Sequence, residues 1–332
     1  MRAVLTIPVA DKDGESRLDR WLKRRFPALK QSQIEKLCRT GQVRVDGGRA
    51  KASDRVRPGQ FVRVPPFEAH ADQPRPGVAK LSAQDRALIE RITLYEDDDI
   101  LVLNKPFGVA TQGGSRTQRH IDGLLLGLTG PDGERPRLVH RLDRDTTGVL
   151  VTAKTPAAAA ALAAAFRTRK TLKIYWAVTA GVPKPLVGEI RGWLKKDQGP
   201  NASDREQVRT ARHGEKDALF AITDYAVIAN AAQRAAWVAL KPVTGRTHQL
   251  RFHMAESGAA IVGDPKYKAA APTPPGLEKC LHLHARAIEF PHPSTGKAVR
   301  IIAELPEHMV HAFDHLGFDE SDARDPFEGF RR

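Results

Sequence analysis

The chain has 332 residues, 41% of them hydrophobic, and carries a formal charge of +14 with a pI near 10.0. That length calls for about two domains, no apolar run approaches the roughly 18 residues of a membrane span, and the charge calls for a polyanionic partner. Two cysteines, Cys38 and Cys280, exclude a disulfide framework. With no signal-peptide apolar segment ahead of Asp11 and Asp13, a cytoplasmic protein is expected.

In residues 1–66, 16 Lys or Arg face 7 Asp or Glu, so +9 of the +14 lies in the first fifth of the chain. Residues 17–26 predict a helix with Leu18, Trp21 and Leu22 on one face. Ser32-Gln33-Ile34-Glu35 reads as a capping box opening a second helix, with Ile34, Leu37 and Cys38 inward and Gly41 at its end. Val43 and Val45 then alternate with charges, Asp46-Gly47 makes a turn, and residues 61–64 form a strand. The polar faces carry Arg20, Lys23, Arg24, Arg39, Arg44 and Lys51, a basic surface suited to phosphates. Residues 67–80, with Pro74, Pro76 and Gly77, read as a linker.

A second domain is expected over residues 81–313. Ser82 caps a helix that turns Leu88, Ile89 and Ile92 inward; Asp97, Asp98 and Asp99 make a hairpin turn before a buried strand ending in Lys105-Pro106. Residues 138–148 set two carboxylates, two guanidiniums, a His and two hydroxyls between apolar runs, and residues 149–153 look like a buried strand. By residue type alone, Asp143 between Arg141 and Arg144 reads equally well as a solvated ion network, Asp145 as a turn residue and His140 as a strand-end residue. Thr155-Pro156 caps an Ala-rich helix running to about residue 167. Residues 171–180 alternate, with Ile174, Trp176 and Val178 on one face and Lys173, Tyr175 and Ala177 on the other; residues 195–217 read as a loop or irregular hairpin. Thr247 is expected to cap a helix to about Ser257, with Leu250 and Met254 inward and His248 and Arg251 sharing another side. Cys280, His282 and His284 alternate on a strand, a spacing too weak for a metal site without a second ligand pair. Residues 314–332 look like an appended tail.

His140-Arg141-Leu142-Asp143, followed by Thr146-Thr147-Gly148, resembles the signature loop of the RluA-type pseudouridine synthases, with Thr147 where the family usually has Ser. Asn104-Lys105-Pro106-Phe107-Gly108, Lys173-Ile174-Tyr175-Trp176-Ala177-Val178 and Gly245-Arg246-Thr247-His248-Gln249-Leu250-Arg251 resemble further markers of that family, in its order. About residues 15–65 resemble the S4 RNA-binding domain. The nearest branch is the RluC-like one, which acts on large-subunit ribosomal RNA.

The resemblance implies an α+β fold, a mixed, largely antiparallel sheet beside a small N-terminal S4 domain. It implies Asp143 as the catalytic carboxylate, Tyr175 as the active-site tyrosine and Arg251 as an ion-pair partner of Asp143. Arg141 is implied in displacing the target nucleotide, with His140, Arg144, Lys105 and Arg246 as further RNA contacts. Uridine isomerisation requires no cofactor or metal. The expected partner is RNA, from the large ribosomal subunit, and the expected state a monomer with no membrane association. Two rivals remain: a non-catalytic RNA-binding assembly factor, and a nucleoside glycosidase sharing Asp chemistry at an anomeric carbon.

Overall fold

A computed structural model describes residues 4–26, 29, 31–66, 81–113, 119–130, 134–198, 206–268, 271–323 and 327. The expected 67–80 linker lies outside the described residues. The chain divides into two compact units, Met1–Ala79 and Lys80–Arg332.

In the first unit, β1 (Leu5–Pro8), β2 (Ser16–Arg17), α1 (Leu18–Arg25) and α2 (Gln31–Arg39) precede β3 (Arg44–Val45), β4 (Gly48–Arg49), β5 (Arg55–Val56) and β6 (Phe61–Val64). The strands form an antiparallel sheet in the order β1-β6-β3-β4, with β2 and β5 paired separately. Leu18, Trp21 and Leu22 of α1 meet Ile34 and Cys38 of α2 over Val43, Val56, Val62 and Val64. The helices form because their apolar residues recur three and four apart, and burying that shared stripe holds them on the sheet. Ser32 is not the cap expected of it: α2 is already under way at Gln31.

The second unit contains α3 (Ala83–Ile92), β7 (Thr93–Glu96), β8 (Ile100–Lys105), α4 (Ile121–Leu126), β9 (Arg137–Leu138), β10 (Thr147–Ala153), α5 (Pro156–Arg167) and β11 (Leu172–Ala180). It continues with β12 (Val187–Gln198), β13 (Glu206–Ala211), β14 (Leu219–Ala231), β15 (Ala235–Pro242), α6 (Gln249–Glu256), β16 (Leu283–Pro291), β17 (Ala298–Ile302) and α7 (Glu307–Leu316). Its sheet runs β13-β12-β14-β15-β11-β16-β10-β8-β7, with β17 on β16 and β9 on β10. Every pairing is antiparallel except β10 with β16, where Thr147 faces His284 and Gly148 faces Ala285. The mixed, largely antiparallel sheet of an α+β fold is therefore what the chain makes.

Capping decides several boundaries. Ser82 accepts from the Asp85 N–H at 3.1 Å and Thr155 from the Ala158 N–H at 3.1 Å, so α3 and α5 begin where the sequence places them. Asp97 closes the β7–β8 turn by accepting from the N–H groups of Asp99 and Ile100, both at 2.8 Å. Both faces of the sheet centre are covered: Trp176 and Val178 pack with Trp237, Met309 and Phe313, while Ala177 packs with Val238, Leu250 and Met254. Within the stretch read as a loop or irregular hairpin, residues 195–198 of β12 pair in unbroken register with residues 206–209 of β13.

The expected tail is a correction. α7 runs to Leu316, Phe318 and Phe327 are buried in the same cluster as Trp237, and Glu320 pairs with Arg286 at 2.7 Å. Scattered charges mask those two aromatics in the sequence, yet among the described residues both are buried.

Candidate active site

The loop before β10 is fixed from beneath on either side of Asp143. Thr111 is buried; its hydroxyl donates to the Leu142 carbonyl at 2.6 Å and accepts from the Leu142 N–H at 3.2 Å. Lys105 is fully buried, and its ammonium donates to the carbonyls of Arg144 (2.8 Å), Val109 (2.8 Å) and Pro106 (3.0 Å). Burial pushes the Lys105 ammonium down to about 7, although Asp145 and Asp143 favour its charge. Three carbonyl acceptors are matched only by the protonated form, with its three hydrogens. Lys105 was expected to touch RNA; with its cation consumed inside the protein it does not have that freedom. Thr111 gave no signal in the sequence.

His140 is a second correction. Its Nε2 accepts from the Val151 N–H at 2.8 Å, its ring stacks on Phe166 at 4.8 Å, and burial holds it down to about 3. That is an uncharged residue bracing β10, in keeping with its strand-end reading and not with an RNA contact. Arg141 is exposed and makes no hydrogen bond or ion pair with a described residue. Arg144, also exposed, grips Asp145 at 2.9 Å, and the exposed Arg246 donates to the Phe220 carbonyl at 3.1 Å.

Asp143, with 23% of its side chain exposed, faces α6. The Arg251 guanidinium reaches its Oδ2 through one terminal nitrogen at 3.5 Å. The tighter partner of Arg251 is Asp264, which takes two parallel hydrogen bonds of 2.7 Å, both buried. Asp264 is itself held by the N–H groups of Lys266 (2.8 Å) and Tyr267 (3.2 Å). Arg251 thus spans two carboxylates, fixed to one and presented to the other; burial opposes its charge, but Asp264 and then Asp143 raise its pKa nevertheless. The expected Arg251–Asp143 pairing is present as the longer of the two contacts.

His248 Nε2 reaches the same Asp143 oxygen at 3.6 Å. The helix begins one residue later than expected, because His248, not Thr247, occupies the N-cap, in the left-handed region at φ 53° and ψ 16°. Gln249 organises that entry: its amide oxygen accepts from Thr244 (2.7 Å) and the Arg246 N–H (3.1 Å), and its amide nitrogen donates to Ile222 (2.8 Å) and Thr223 (2.9 Å). Asp264, Gln249 and Tyr267 were missed in the sequence.

Tyr175, on β11, packs both with the cluster containing Leu142 and with that containing Leu240 and Leu250. Burial, followed by the nearby Asp143 charge, drives its phenol pKa upward, so it stays protonated. Its hydroxyl makes no hydrogen bond with a described residue. Asp143, Tyr175 and Arg251 are therefore drawn together from a loop, a strand and a helix. A carboxylate held by a guanidinium beside a neutral phenol suits acid–base or covalent chemistry.

The Cys280, His282 and His284 alternation leads to no ligand cluster. His284 pairs with Thr147 at 2.8 Å, and the only His, Cys and carboxylate grouping of metal-like spacing among the described residues is Asp97, Asp99 and His292. There His292 Nε2 already bonds Asp97 at 2.9 Å.

In the first unit Arg20, Lys23, Arg24, Arg39, Arg44 and Lys51 are all exposed. Arg39 and Lys51 line a hollow of about 470 Å³ together with Arg49, which the sequence reading passed over. No described helix is long and apolar enough to cross a membrane.

The fold sets a carboxylate-centred site in the second unit and a separate basic module in the first. Residues 99–256 match the RNA pseudouridylate synthase family and residues 16–62 the S4 domain. The chain is 37% identical over 307 residues to the ribosomal large subunit pseudouridine synthase C of Rickettsia felis, covering 90% of this chain and 96% of that one. It is 34% identical over 319 residues to the protein of the same name from Escherichia coli, covering 92% and 94%. The solved structure of human RNA pseudouridylate synthase domain containing 4 superposes with a TM-score of 0.58 at 31% identity, over 71% of this chain and 96% of that one. The chain belongs to the RNA pseudouridylate synthase family and is an isomerase.

Proposed function

We propose that this enzyme converts specific uridines of large-subunit ribosomal RNA to pseudouridine, with Asp143 as the catalytic carboxylate. The reading rests above all on Asp143: a partly open carboxylate, anchored on both sides in the chain and approached by Arg251 and His248 on one oxygen. The names of the relatives over about 90% of the chain favour the large-subunit target.

A base inside folded RNA has to be turned out before its sugar bond can be reached. Arg141, exposed and without a partner among the described residues beside Asp143, is the group we assign to that step, since a planar guanidinium stacks on bases and donates to them. Arg144 and Arg246 offer further exposed guanidiniums to the backbone; Lys105 and His140 have no such role. Within the site the N1–C1′ bond breaks, the uracil turns, the C5–C1′ bond forms, C5 gives up its proton and N1 gains one. Atoms and electrons balance without an oxidant or group donor. Asp143 acts either as nucleophile at C1′ or as base at C2′. Tyr175 packs against the uracil as a neutral phenol and can relay the C5 proton only by giving up its own, and Arg251 orients Asp143. The S4 module grips RNA through phosphates, positioning the chain without reading sequence. The enzyme acts as a single chain in the cytoplasm, where its ribosomal substrate is assembled.

Pseudouridine mapping in cells lacking the protein, complemented with wild type or with Asp143→Asn, tests this. A few large-subunit sites should vanish and return only with wild type. Restoration by the Asn variant would favour an assembly factor that needs no Asp143, and sites lost from transfer RNA instead would reassign the substrate.

A further inference from the structure

Among the described residues two charged or polar side chains reach Asp143, Arg251 and His248, and the second carries its own hydrogen-bond chain. The Val208 N–H donates to the Tyr267 hydroxyl at 2.7 Å, and that hydroxyl lies 2.9 Å from His248 Nδ1. Burial raises the Tyr267 phenol to about 12 and lowers His248 to about 4, with Asp143 opposing the latter shift and Arg251 and Lys266 adding to it. Both rings are therefore uncharged near neutral pH. The Tyr267 oxygen already accepts one bond, so its own proton needs an acceptor, and the one in reach is His248 Nδ1. The remaining imidazole proton must then sit on Nε2. The other end of the ring agrees: Nε2 faces the Asp143 carboxylate at 3.6 Å, and a lone pair there would repel it.

A backbone in the left-handed region is an uncommon setting for a residue with a Cβ, and here it aims this ring. Such strain gathers where geometry serves function.

We propose that His248 is a positioning residue for the isomerisation, a neutral imidazole whose tautomer is set by Tyr267 and whose Nε2–H, with the Arg251 guanidinium, holds Asp143 Oδ2. The other carboxylate oxygen, which no described residue pairs with, is the one that meets the ribose. Separations of 3.5 and 3.6 Å are longer than hydrogen bonds; both close to bonding distance once RNA fills the site, as catalytic contacts of empty sites do. This inference rests on Asp143 being the catalytic carboxylate.

The test uses the full-length chain. Two-bond ¹H–¹⁵N correlation of ¹⁵N-histidine-labelled protein should show His248 as the Nε2–H tautomer, with that preference lost in Tyr267→Phe. Single-turnover release of tritium from large-subunit rRNA transcript carrying 5-³H-uridine should fall about 100-fold in His248→Leu, with RNA affinity within twofold of wild type. His248→Gln, whose amide can present an N–H near the Nε2 position at the same backbone strain, should recover at least tenfold of that loss. An Nδ1–H tautomer, full activity in His248→Leu, or a Gln variant no better than Leu would each overturn the proposal. Asp143→Asn separates the two levels: if it stays active the catalytic assignment fails, whereas an inactive Asp143→Asn beside a fully active His248→Leu sinks only the positioning role.

Discussion

Lys105 shows how a residue can be legible as important and misread as to why. A lysine before proline next to a polar loop invites an RNA role, because sequence carries no information on whether a flexible cation points outward. Its fully buried ammonium ties together three carbonyls, one of them next to Asp143. Lys105→Met keeps the bulk and removes all three donors, and leaving buried carbonyls unpaired should lower unfolding free energy by about 3 kcal/mol. Denaturant unfolding measures that, and kcat should fall more than RNA affinity if Asp143 is the catalytic carboxylate we propose, because the loop loosens under it. Weakened RNA binding in a variant of unchanged stability would restore the RNA-contact reading. Asp264 is the converse case. Arg251 could be picked out from its marker, but its firm partner lies 13 residues on in a stretch without periodicity, so only the fold brings the pair together.

Elements with local signals were readable, and those fixed by distant contacts were not. α3 and α5 announce themselves through their caps, and β11 through its alternation. The start of α6 depends on the Gln249 amide reaching Ile222 and Thr223 on β14, and the burial of Phe318 and Phe327 depends on Trp237. The same holds for the one parallel junction of the sheet. Gly148 sits there at φ +105°, and a Cβ on it would lie 2.3 Å from the Ala285 carbonyl oxygen on β16. What demands glycine here is the close approach of a second strand. Gly148→Ala combines backbone strain with that overlap, so a loss of about 3 kcal/mol or more is expected, together with activity, since β10 begins four residues after Asp143. Gly192→Ala in β12, where a Cβ meets nothing within 4 Å, is the matched control and should stay within about 0.5 kcal/mol of wild type. Equal thermal melts for the two variants would refute the account of β10–β16.

Across the whole molecule the charge is divided unequally, +9 of +14 falling in the first 66 residues. Binding to a polyanion through such a surface releases counterions, so affinity should fall linearly in log–log form with salt, each phosphate contact contributing about 0.7 to 0.9 to the slope. The six basic residues expected to contact RNA, out of the 16 in the first 66 residues, are not equal in this respect. Lys23 bonds the Leu29 carbonyl, Arg24 bonds Ser16, and Arg44 bonds the carbonyls of Gly41 and Gly47. The side chains of Arg20, Arg39 and Lys51 are exposed without a hydrogen bond or ion pair to a described residue, and those cations are free for phosphate. Replacing these three with Gln should flatten the salt slope of RNA binding by about 2 to 3. Replacing Lys23, Arg24 and Arg44 should flatten it less and lower the melting temperature more, because their carbonyl and hydroxyl partners lose donors. Turnover at saturating RNA should be unchanged in the first triple variant, since no catalytic group is touched. Fluorescence anisotropy with large-subunit rRNA fragments between 50 and 300 mM salt would read the slopes, about the range over which such contacts are most separable. An unaltered slope in the Arg20, Arg39 and Lys51 variant would move the phosphate grip to the second unit, where Arg141, Arg144 and Arg246 are the exposed guanidiniums around Asp143.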